Sequence, residues 1–557
     1  MLKKLTKPDV FTILFFLSLT CVGLFHDFAS CIASVVLLVT LAVYGIITKR
    51  LTFYVNLTSV AVTVFVLSYG VTCLWAIDSG MAFIGFLKFF SVLLFLVCFM
   101  QNGKSKNAVF EWLPYIMAGM TVISAVCSFI PFLSRYFTVN GRLAGFIQYP
   151  NTFALLLLVS ALVVISKERL DFVDWVMLAV FLFGIFYSGS RTVFVLTVIG
   201  VILCLFCTKK KSVRIALASV IGLFAVLAVF SVIFLKNTEA FDRFMSISFE
   251  SSTFLGRLLY WRDSAGLVLK HPFGLGFMGY YYIQQSVQTG MYSVTYAHNE
   301  LIQFMLDVGW VPGLLLFGAV VKPIFSKNIN PYLRVALITF ILHSLFDFNL
   351  QYLSVLVLLL LFTDITGGKK YEFKNKKVSL IVISSALSLV FVYFSVVLML
   401  YNFGKTEVVH SLYPAHTQNE IARLGNCEDT AELDVIADGI LKRNEYLPIA
   451  YSAKARHAFA NGDITSLIQY KTKVFEIAPF QYEEYEEYCY MLIHSISLYE
   501  NAGDEDSAEY CKNELTCVYD VLCSLEKRLS GLGRKIQDIP RTQLPDDVRE
   551  YILNLKK

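Results

Sequence analysis

Long apolar stretches recur through the first 403 residues, and they limit the fold more than any other feature. Runs of roughly 17–25 residues can cross the ~30 Å hydrocarbon core of a bilayer as helices. The chain is 57% hydrophobic and 16% charged, too apolar for a soluble protein. We predict an all-α, polytopic membrane bundle with about 13 spans, near 9–25, 28–47, 53–75, 81–100, 109–131, 143–166, 171–187, 192–207, 213–235, 299–321, 332–346, 350–365 and 378–402.

The composition changes after Phe403. Residues 404–557 contain 17 Lys and Arg against 26 Asp and Glu, whereas residues 1–403 are basic. We therefore predict a transmembrane domain of residues 1–403 and an acidic, water-soluble helical domain of residues 404–557. Its sequence resembles tetratricopeptide (TPR) repeats, and punctuation at "ANGD", "IAPF" and "NAGD" predicts helices over 431–443, 448–461, 464–477, 481–501 and 505–528.

Positive charge alternates between the connections of the predicted spans. The basic connections are "MLKKLTK", "TKR", "GKSK", "KER", "TKKKSVR", "KPIFSK" and "GGKKYEFKNKK". The positive-inside rule assigns these to the cytoplasm, so the amino terminus is predicted inside. With 13 spans, the C-terminal domain and the large loop 236–298 are then extracytoplasmic.

Two arginine-bearing segments are predicted on the outer side. "YSGSRTVFVL" places Arg191 at the end of a span, where a single arginine often only snorkels to the interface. "FLGRLLYWRDSAGLVLKHPFGLGF" places Arg257 and Arg262 on an amphipathic helix that could simply lie on the membrane surface. A guanidinium also binds phosphate through two parallel hydrogen bonds, so a lipid diphosphate is the alternative ligand.

Polar residues also mark the predicted outer ends of later spans. In "YAHNELIQFMLDVGW", a solvated helix cap would account for Asn299 and Glu300, whereas His298 is a candidate general base. "FILHSLFDFNLQY" predicts His343 and Asp347 four residues apart on one helix, as a structural pair or as functional groups. Arg142 precedes another span in "GRLAGFIQYPNTFALLLL".

Metal chemistry finds little support in the sequence. No Asp-x-Asp motif lies in the predicted outer connections between spans, and the twelve cysteines do not have zinc-ligand spacing. We predict an enzyme without a metal ion or another cofactor.

These motifs, in this order, resemble the O-antigen ligase and polymerase family of bacterial membrane glycosyltransferases. The resemblance covers roughly 140–365 and rests on "GRLAGFIQYPNTFA", "GSRT", the "GR" and "YW" before "HPFGLGF", "AHNELIQFMLDVGWVPGLLLF" and "HSLFD". It implies a GT-C-like membrane fold. It also implies transfer of a glycan from an undecaprenyl-diphosphate carrier to an acceptor hydroxyl outside the cytoplasmic membrane, without a nucleotide sugar or a metal.

The resemblance also implies roles for individual residues. Arg191 and Arg257 would neutralise the diphosphate leaving group, and His298 would deprotonate or orient the acceptor hydroxyl as it attacks C1 with inversion. Substrate binding would fall to Arg142, Arg262, Asn299, His343 and Asp347.

Several functions remain open at this point. The acceptor could be a glycan, a lipid or a protein, so the enzyme could be a ligase, a polymerase or a protein O-glycosyltransferase. A lipid-linked glycan transporter is the alternative from another class, although it would be expected to show internal repeats and polar groups at mid-depth. The C-terminal domain could bind a protein or polymer partner, membrane lipid is expected around the spans, and no feature indicates nucleic acid.

Overall fold

The computed structural model describes residues 5–207, 252–374, 377–536 and 543–557, together with 214, 215 and 222. These residues are mostly helical, with two short antiparallel strand pairs, and the all-α prediction is confirmed. Apart from the three single positions, the predicted span at 213–235 and loop residues 236–251 lie outside the described residues.

The described residues form two compact units. The first unit takes in the described parts of Met1–Val71, Ile84–Ser248 and His298–Met399. Its elements are α1 (Val10–Thr20), α2 (Asp27–Thr48), β1 (Arg50–Val55), α3 (Leu57–Thr72), α4 (Ser79–Gln101), α5 (Gly103–Ser128), α6 (Pro131–Phe137), β2 (Thr138–Val139), β3 (Arg142–Leu143), α7 (Pro150–Ile165), α8 (Phe172–Ser188) and α9 (Arg191–Cys207). The unit continues with α12 (Glu300–Val308), α13 (Trp310–Val321), α14 (Pro331–Ser344), α15 (Leu353–Leu360), β4 (Lys369–Lys374) and α16 (Lys377–Asn402).

The second unit takes in the described parts of Thr72–Phe83, Phe249–Ala297 and Leu400–Lys557. It contains α10 (Ser252–Lys270) and α11 (Gly279–Val287), which come from the predicted outer loop. Its C-terminal elements are α17 (Thr406–Leu412), α18 (Thr417–Asn426), α19 (Thr430–Leu441), α20 (Pro448–Ala460), α21 (Ile464–Ile477), α22 (Tyr482–Ala502), α23 (Glu505–Arg528) and α24 (Asp546–Leu555). The last five predicted helices before residue 530 thus begin and end within two residues of α19–α23. The assignment to the tetratricopeptide class remains a prediction.

Membrane-spanning length is clear for part of the first unit. Within the described residues, α2, α4, α5 and α16 are long and apolar enough to cross a bilayer, and shorter apolar helices such as α1 and α7 coincide with other predicted spans. The chain therefore has the helices of a membrane protein, while the count of 13 spans remains a prediction.

One predicted span is two helices. The run 299–321 divides at Gly309, whose φ of 92° lies in the region that favours glycine. The helices on either side, α12 and α13, pack closely, since a Cβ on Gly313 would lie 3.1 Å from the Met305 side chain. The break lets α12 be a short helix that presents its first turn to the rest of the first unit.

Several predicted basic connections meet at one end of the first unit. The strand β1 pairs with β4 in antiparallel register, so "TKR" lies beside "GGKKYEFK". The Trp112 indole donates to the Thr6 carbonyl at 2.9 Å, and the Thr6 amide donates to Glu111 at 2.7 Å. This grouping is what the alternation of charge predicts. The side of the membrane that it faces remains a prediction.

A buried ion-pair cluster lies among the C-terminal helices. Lys471 of α21 is fully buried, and its Nζ lies 2.7 Å from Glu484 and 2.5 Å from Glu487 of α22. Although burial alone would raise the pKa of Glu487, the charges of Lys471 and Arg456 outweigh it and lower that pKa. The cluster therefore stabilises the fold while the carboxylates are ionised.

Lys471→Met should destabilise the second unit, because it removes the cation and leaves two carboxylates close together. We expect a loss of about 2 kcal/mol, below the usual cost of breaking a fully buried pair because both glutamates are partly exposed. The melting temperature of this unit should fall by about 4–8 °C at neutral pH, measured on the full chain in detergent.

Acid should reduce the difference in melting temperature between the wild type and Lys471→Met. A carboxylate whose folded pKa is lowered contributes stability above its unfolded pKa, and that stability is lost as the pH falls through the folded pKa. Lys473→Met is the matched control, since Lys473 lies on the same helix in an exposed pair with Glu476. Equal melting temperatures for the two variants at neutral pH would contradict the prediction.

Candidate functional site

A histidine and an aspartate form the centre of the candidate site in the first unit. His298 directly precedes α12, and its Nδ1 lies 3.3 Å from Oδ1 of Asp347. The His298 side chain is 20% exposed, whereas that of Asp347 is fully buried. The pair thus has one face open to a substrate and one face anchored in the protein.

The backbone at His298 is strained. Its φ is +52°, in the left-handed region that side chains other than glycine rarely occupy. The next residue, Asn299, caps α12 by accepting a hydrogen bond from the Ile302 amide at 3.2 Å. Such outliers persist only where the surrounding structure imposes them, and they are concentrated at functional sites.

Three donors hold the Asp347 carboxylate in place. The Tyr149 hydroxyl donates to Oδ1 at 2.9 Å, the Asn151 amide donates to Oδ2 at 2.8 Å, and the backbone amide of Phe348 donates to Oδ1 at 2.9 Å. Hydrogen bonds to the ionised form stabilise it. Asp347 is therefore held as a buried, multiply bonded acceptor, 3.3 Å from Nδ1 of His298.

The loop that carries Asp347 is anchored by a glutamate from α12. Glu300 is fully buried, and its Oε1 accepts from the backbone amides of Leu350 at 2.6 Å and Gln351 at 3.1 Å. Its Oε2 accepts from the Gln351 side chain at 2.9 Å. The interpretation of Glu300 as a solvated cap is therefore wrong. The residue ties the first turn of α12, next to His298, to the loop behind Asp347.

The predicted helical pair of His343 and Asp347 is also wrong in its geometry. The helix α14 ends at Ser344, so Asp347 lies in the following turn and not one helical turn above His343. Both side chains are fully buried. The backbone amides of Leu350 and Gln351 donate to Glu300 rather than to carbonyls of a continuing helix, so the tertiary contact overrides the local pattern.

Arg142 joins this cluster from the strand β3. Its Nη2 donates to Asn151 Oδ1 at 2.8 Å, and its Nε donates to the Ser188 carbonyl at 2.7 Å. Asn151 in turn contacts Asp347, so the guanidinium connects the Asp347 cluster with the end of α8. This contact fixes the turn immediately before Arg191.

Arg191 is the first residue of α9. Gly189 precedes it with φ of 58° and ends α8, which produces the sharp turn expected from the Gly-Ser sequence. Ser190 directly precedes α9, and its carbonyl accepts from the Phe194 amide at 3.0 Å. The Arg191 side chain is partly buried. The turn thus holds Arg191 at a helix end, three residues after Ser188, whose carbonyl accepts from Arg142.

Aromatic rings line the same region. Tyr149, which bonds to Asp347, lies parallel to Tyr352 with ring centroids 6.1 Å apart, and Tyr352 stacks on Phe25 at 4.7 Å. His298 meets the Phe348 ring edge to face at 5.0 Å. These rings restrict the positions of the histidine and the tyrosine.

A second polar set on α12 was missed by the sequence analysis. Asp307 is buried and accepts from the Tyr69 hydroxyl at 2.8 Å and the Gln303 amide at 2.9 Å. Glu300, Gln303 and Asp307 are spaced three and four residues apart on α12, which places them on one helix face. That spacing was the available signal of a buried polar face.

Arg257 and Arg262 lie in the second unit, on α10. The predicted helix is confirmed, with Arg257 partly buried and Arg262 exposed. Between them and the helix end, Asp263 is buried and accepts from the Thr289 amide at 2.9 Å and from the Thr289 hydroxyl at 2.7 Å. Burial raises the pKa of Asp263, and these hydrogen bonds offset only part of the rise. The helix is thus fixed to residues at the end of its own loop.

The cluster in the first unit can perform acid–base chemistry. With Nδ1–H directed at Asp347, His298 would present Nε2 as a proton acceptor, and Asp347 would stabilise the resulting imidazolium. Within the ranges described above, no three His, Cys, Asp or Glu side chains form a group that could hold a metal ion. The groups available to reacting atoms there are the imidazole and the guanidinium groups.

Comparison with known proteins supports glycan transfer. Residues 176–318 match the family model described as O-Antigen ligase. The match includes Arg191, Arg257, Arg262, His298 and Asn299, while Arg142, His343 and Asp347 lie outside it. No curated protein is significantly similar to the chain. The match and the apolar helices indicate a membrane protein and support an O-antigen ligase-like or related glycan-transfer function, and the family implies a lipid-linked glycan donor and a glycan acceptor.

Proposed function

We propose that this protein transfers a glycan from an undecaprenyl-diphosphate carrier to an acceptor hydroxyl, with inversion at C1 and without a metal ion. The reaction takes place at the outer face of a bacterial cytoplasmic membrane. The observation that carries the proposal is the pair of His298 and buried Asp347, because it supplies a base at the histidine of the matched ligase region. A ligase and a polymerase would use this chemistry in the same way and differ in the acceptor.

The histidine removes the proton from the acceptor. As the acceptor oxygen forms a bond to C1 of the first sugar, its proton passes to Nε2 of His298, and Asp347 stabilises the imidazolium through Nδ1–H. The separation of 3.3 Å between Nδ1 and Asp347 is long for a hydrogen bond, and catalytic hydrogen bonds often shorten when substrate binds.

The arginines stabilise the negative charge of the leaving group. When the bond between C1 and the phosphate oxygen breaks, undecaprenyl diphosphate departs with the bonding electron pair. Arg191 and Arg257 then stabilise the negative charge on the diphosphate, which is the role of preorganised cations in phosphate transfer. Arg142 positions the turn before Arg191, and Arg262 adds positive charge to the helix of Arg257.

Arg191→Ala should reduce turnover about 100-fold, because one group that stabilises the leaving diphosphate is lost. Arg191→Lys should recover part of the activity, since a lysine keeps the charge and loses the two-point geometry. The measurement is release of undecaprenyl diphosphate by purified protein given an undecaprenyl-diphosphate-linked glycan and an acceptor glycan. Arg169→Ala is the control, because Arg169 is exposed and lies in a predicted cytoplasmic connection.

The same assay tests the proposed function as a whole. Turnover that persists in EDTA is the result expected of metal-free transfer. If glycan transfer requires an added divalent metal, or if Arg191→Ala works as fast as wild type while it remains folded, the proposed mechanism is wrong.

A further inference from the structure

A short C-terminal segment binds the outer-loop region that contains the helix of Arg257. We call residues 529–536, which follow α23, the hook. The Ser530 amide of the hook donates to the Thr289 carbonyl at 2.8 Å, and the Ser530 hydroxyl lies 3.1 Å from Oγ1 of Thr289. The same hydroxyl accepts from the Gly533 amide at 3.0 Å, which closes the hook on itself. Both backbone and side chain of Ser530 therefore bind one threonine of the outer loop.

Thr289 passes this contact on to α10. Its amide and its hydroxyl both donate to Asp263, which lies in the middle of the helix, and the Tyr292 hydroxyl donates to the same carboxylate at 3.1 Å. Asp263 is only 8% exposed. A continuous set of hydrogen bonds therefore runs from the hook through Thr289 to the helix that bears Arg257.

Two glycines allow the hook and the loop to touch through their backbones. A Cβ on Gly533 would overlap the carbonyl oxygen of Thr289 and would lie 2.8 Å from Cα of Gly290. A Cβ on Gly290 would lie 2.7 Å from Cα of Gly533. Neither obstacle is the end of a flexible side chain, so the contact requires glycine on both sides. Gly531, two residues earlier in the hook, has no atom within 4 Å of such a Cβ.

Apolar packing seals the same contact. Leu259 and Tyr260 of α10 form one buried cluster with Tyr292 of the loop and Ile536 of the hook. Leu259 and Ile536 are fully buried, and Trp261 and Leu532 pack against the cluster. The hook thus covers Leu259 and Tyr260, which follow Arg257 by two and three residues on α10.

We propose that the hook is a positioning element for Arg257, so that the C-terminal residues take part in donor binding by fixing the outer-loop helix. Arg257 and Asp263 are six residues apart on α10, which corresponds to about 9 Å along the helix axis. Anchoring Asp263 and Leu259 therefore restricts the tilt and the rotation of the helix at Arg257. This inference rests on the proposed role of Arg257 with the donor diphosphate.

The test compares Gly533→Ala with Gly531→Ala in the full chain. Gly533→Ala should displace the hook, and amide hydrogen exchange in residues 286–294 should become at least about 10-fold faster. Gly531→Ala should leave this exchange unchanged. Unaltered exchange in Gly533→Ala would overturn the docking of the hook.

Kinetics test whether docking serves Arg257. Gly533→Ala should raise the KM for the undecaprenyl-diphosphate-linked donor about 10-fold and leave the KM for the acceptor unchanged, because only the donor meets Arg257. A purely structural defect would lower kcat through loss of folded enzyme without changing either KM. An unchanged donor KM despite faster exchange would overturn the positioning role.

A double variant distinguishes action through Arg257 from action elsewhere. In an Arg257→Ala background, Gly533→Ala should cause no further rise in donor KM, because the positioned group is already absent. A second rise of equal size would overturn the proposal. If the wild-type protein transfers no glycan at all, the proposed function fails, while the exchange measurement still decides whether the hook holds the loop.

Discussion

His298→Ala should lower the turnover of glycan transfer about 1000-fold, which is the loss expected when a positioned general base is removed. The residue lies two positions before α12, partly exposed, with Nδ1 3.3 Å from Oδ1 of buried Asp347. His343, by contrast, is fully buried. An alanine leaves no group at this position that could take the proton of the acceptor hydroxyl.

The measurement is single-turnover release of undecaprenyl diphosphate with saturating donor and acceptor. His494→Ala is the matched control, because His494 is an exposed histidine on α22 and should leave turnover unchanged. Donor binding should also survive in His298→Ala, since the diphosphate is assigned to the arginines. Full activity of a folded His298→Ala protein would remove the histidine from the mechanism.

Asp347→Asn should lower kcat about 100-fold with little change in the KM of either substrate. An amide keeps the size of the side chain but loses the charge that stabilises the imidazolium. Tyr149, Asn151 and Phe348 all direct N–H or O–H donors at this position, so an amide nitrogen there would also face a donor. The substitution therefore disturbs the orientation of His298 and also removes the negative charge beside it.

Asp364→Asn is the control for this second variant, since Asp364 is an exposed carboxylate of the first unit outside the cluster. Combining Asp347→Asn with His298→Ala should cost no more than His298→Ala alone, because residues that act as a unit are not additive. Additive losses would show that Asp347 contributes independently of the histidine.

Much of the helical framework was predictable, because apolar runs and their end signals are local. The predicted start of α16 is one residue from its observed start, and the predicted ends of α21 and α23 coincide with the observed ones. These predictions used the length of apolar or amphipathic runs and the turn residues between them. The break at Gly309 was not predicted, since an isolated glycine in an apolar run is compatible with a continuous helix. Its positive φ depends on the packing of α12 against α13.

The candidate site was predictable only in part. Arg191 and His298 stood out because charged or titratable groups at the ends of apolar runs are rare and costly, and Arg257 stood out on a predicted amphipathic helix of the outer loop. Local periodicity placed Asp347 beside His343, on a helix that in fact ends at Ser344. The buried roles of Glu300 and Tyr149 went unpredicted, since the partner of Glu300 is 50 residues away and that of Tyr149 is 198 residues away.

By itself, the sequence determined that the chain is a helical membrane protein with an acidic C-terminal region and that Arg191 and His298 lie at the ends of apolar runs. These properties follow from composition and from the local spacing of apolar residues. Only the tertiary structure decided that Asp347 faces His298 and that the hook holds the loop of Arg257. Both depend on hydrogen bonds and close packing between distant segments, which no local pattern encodes.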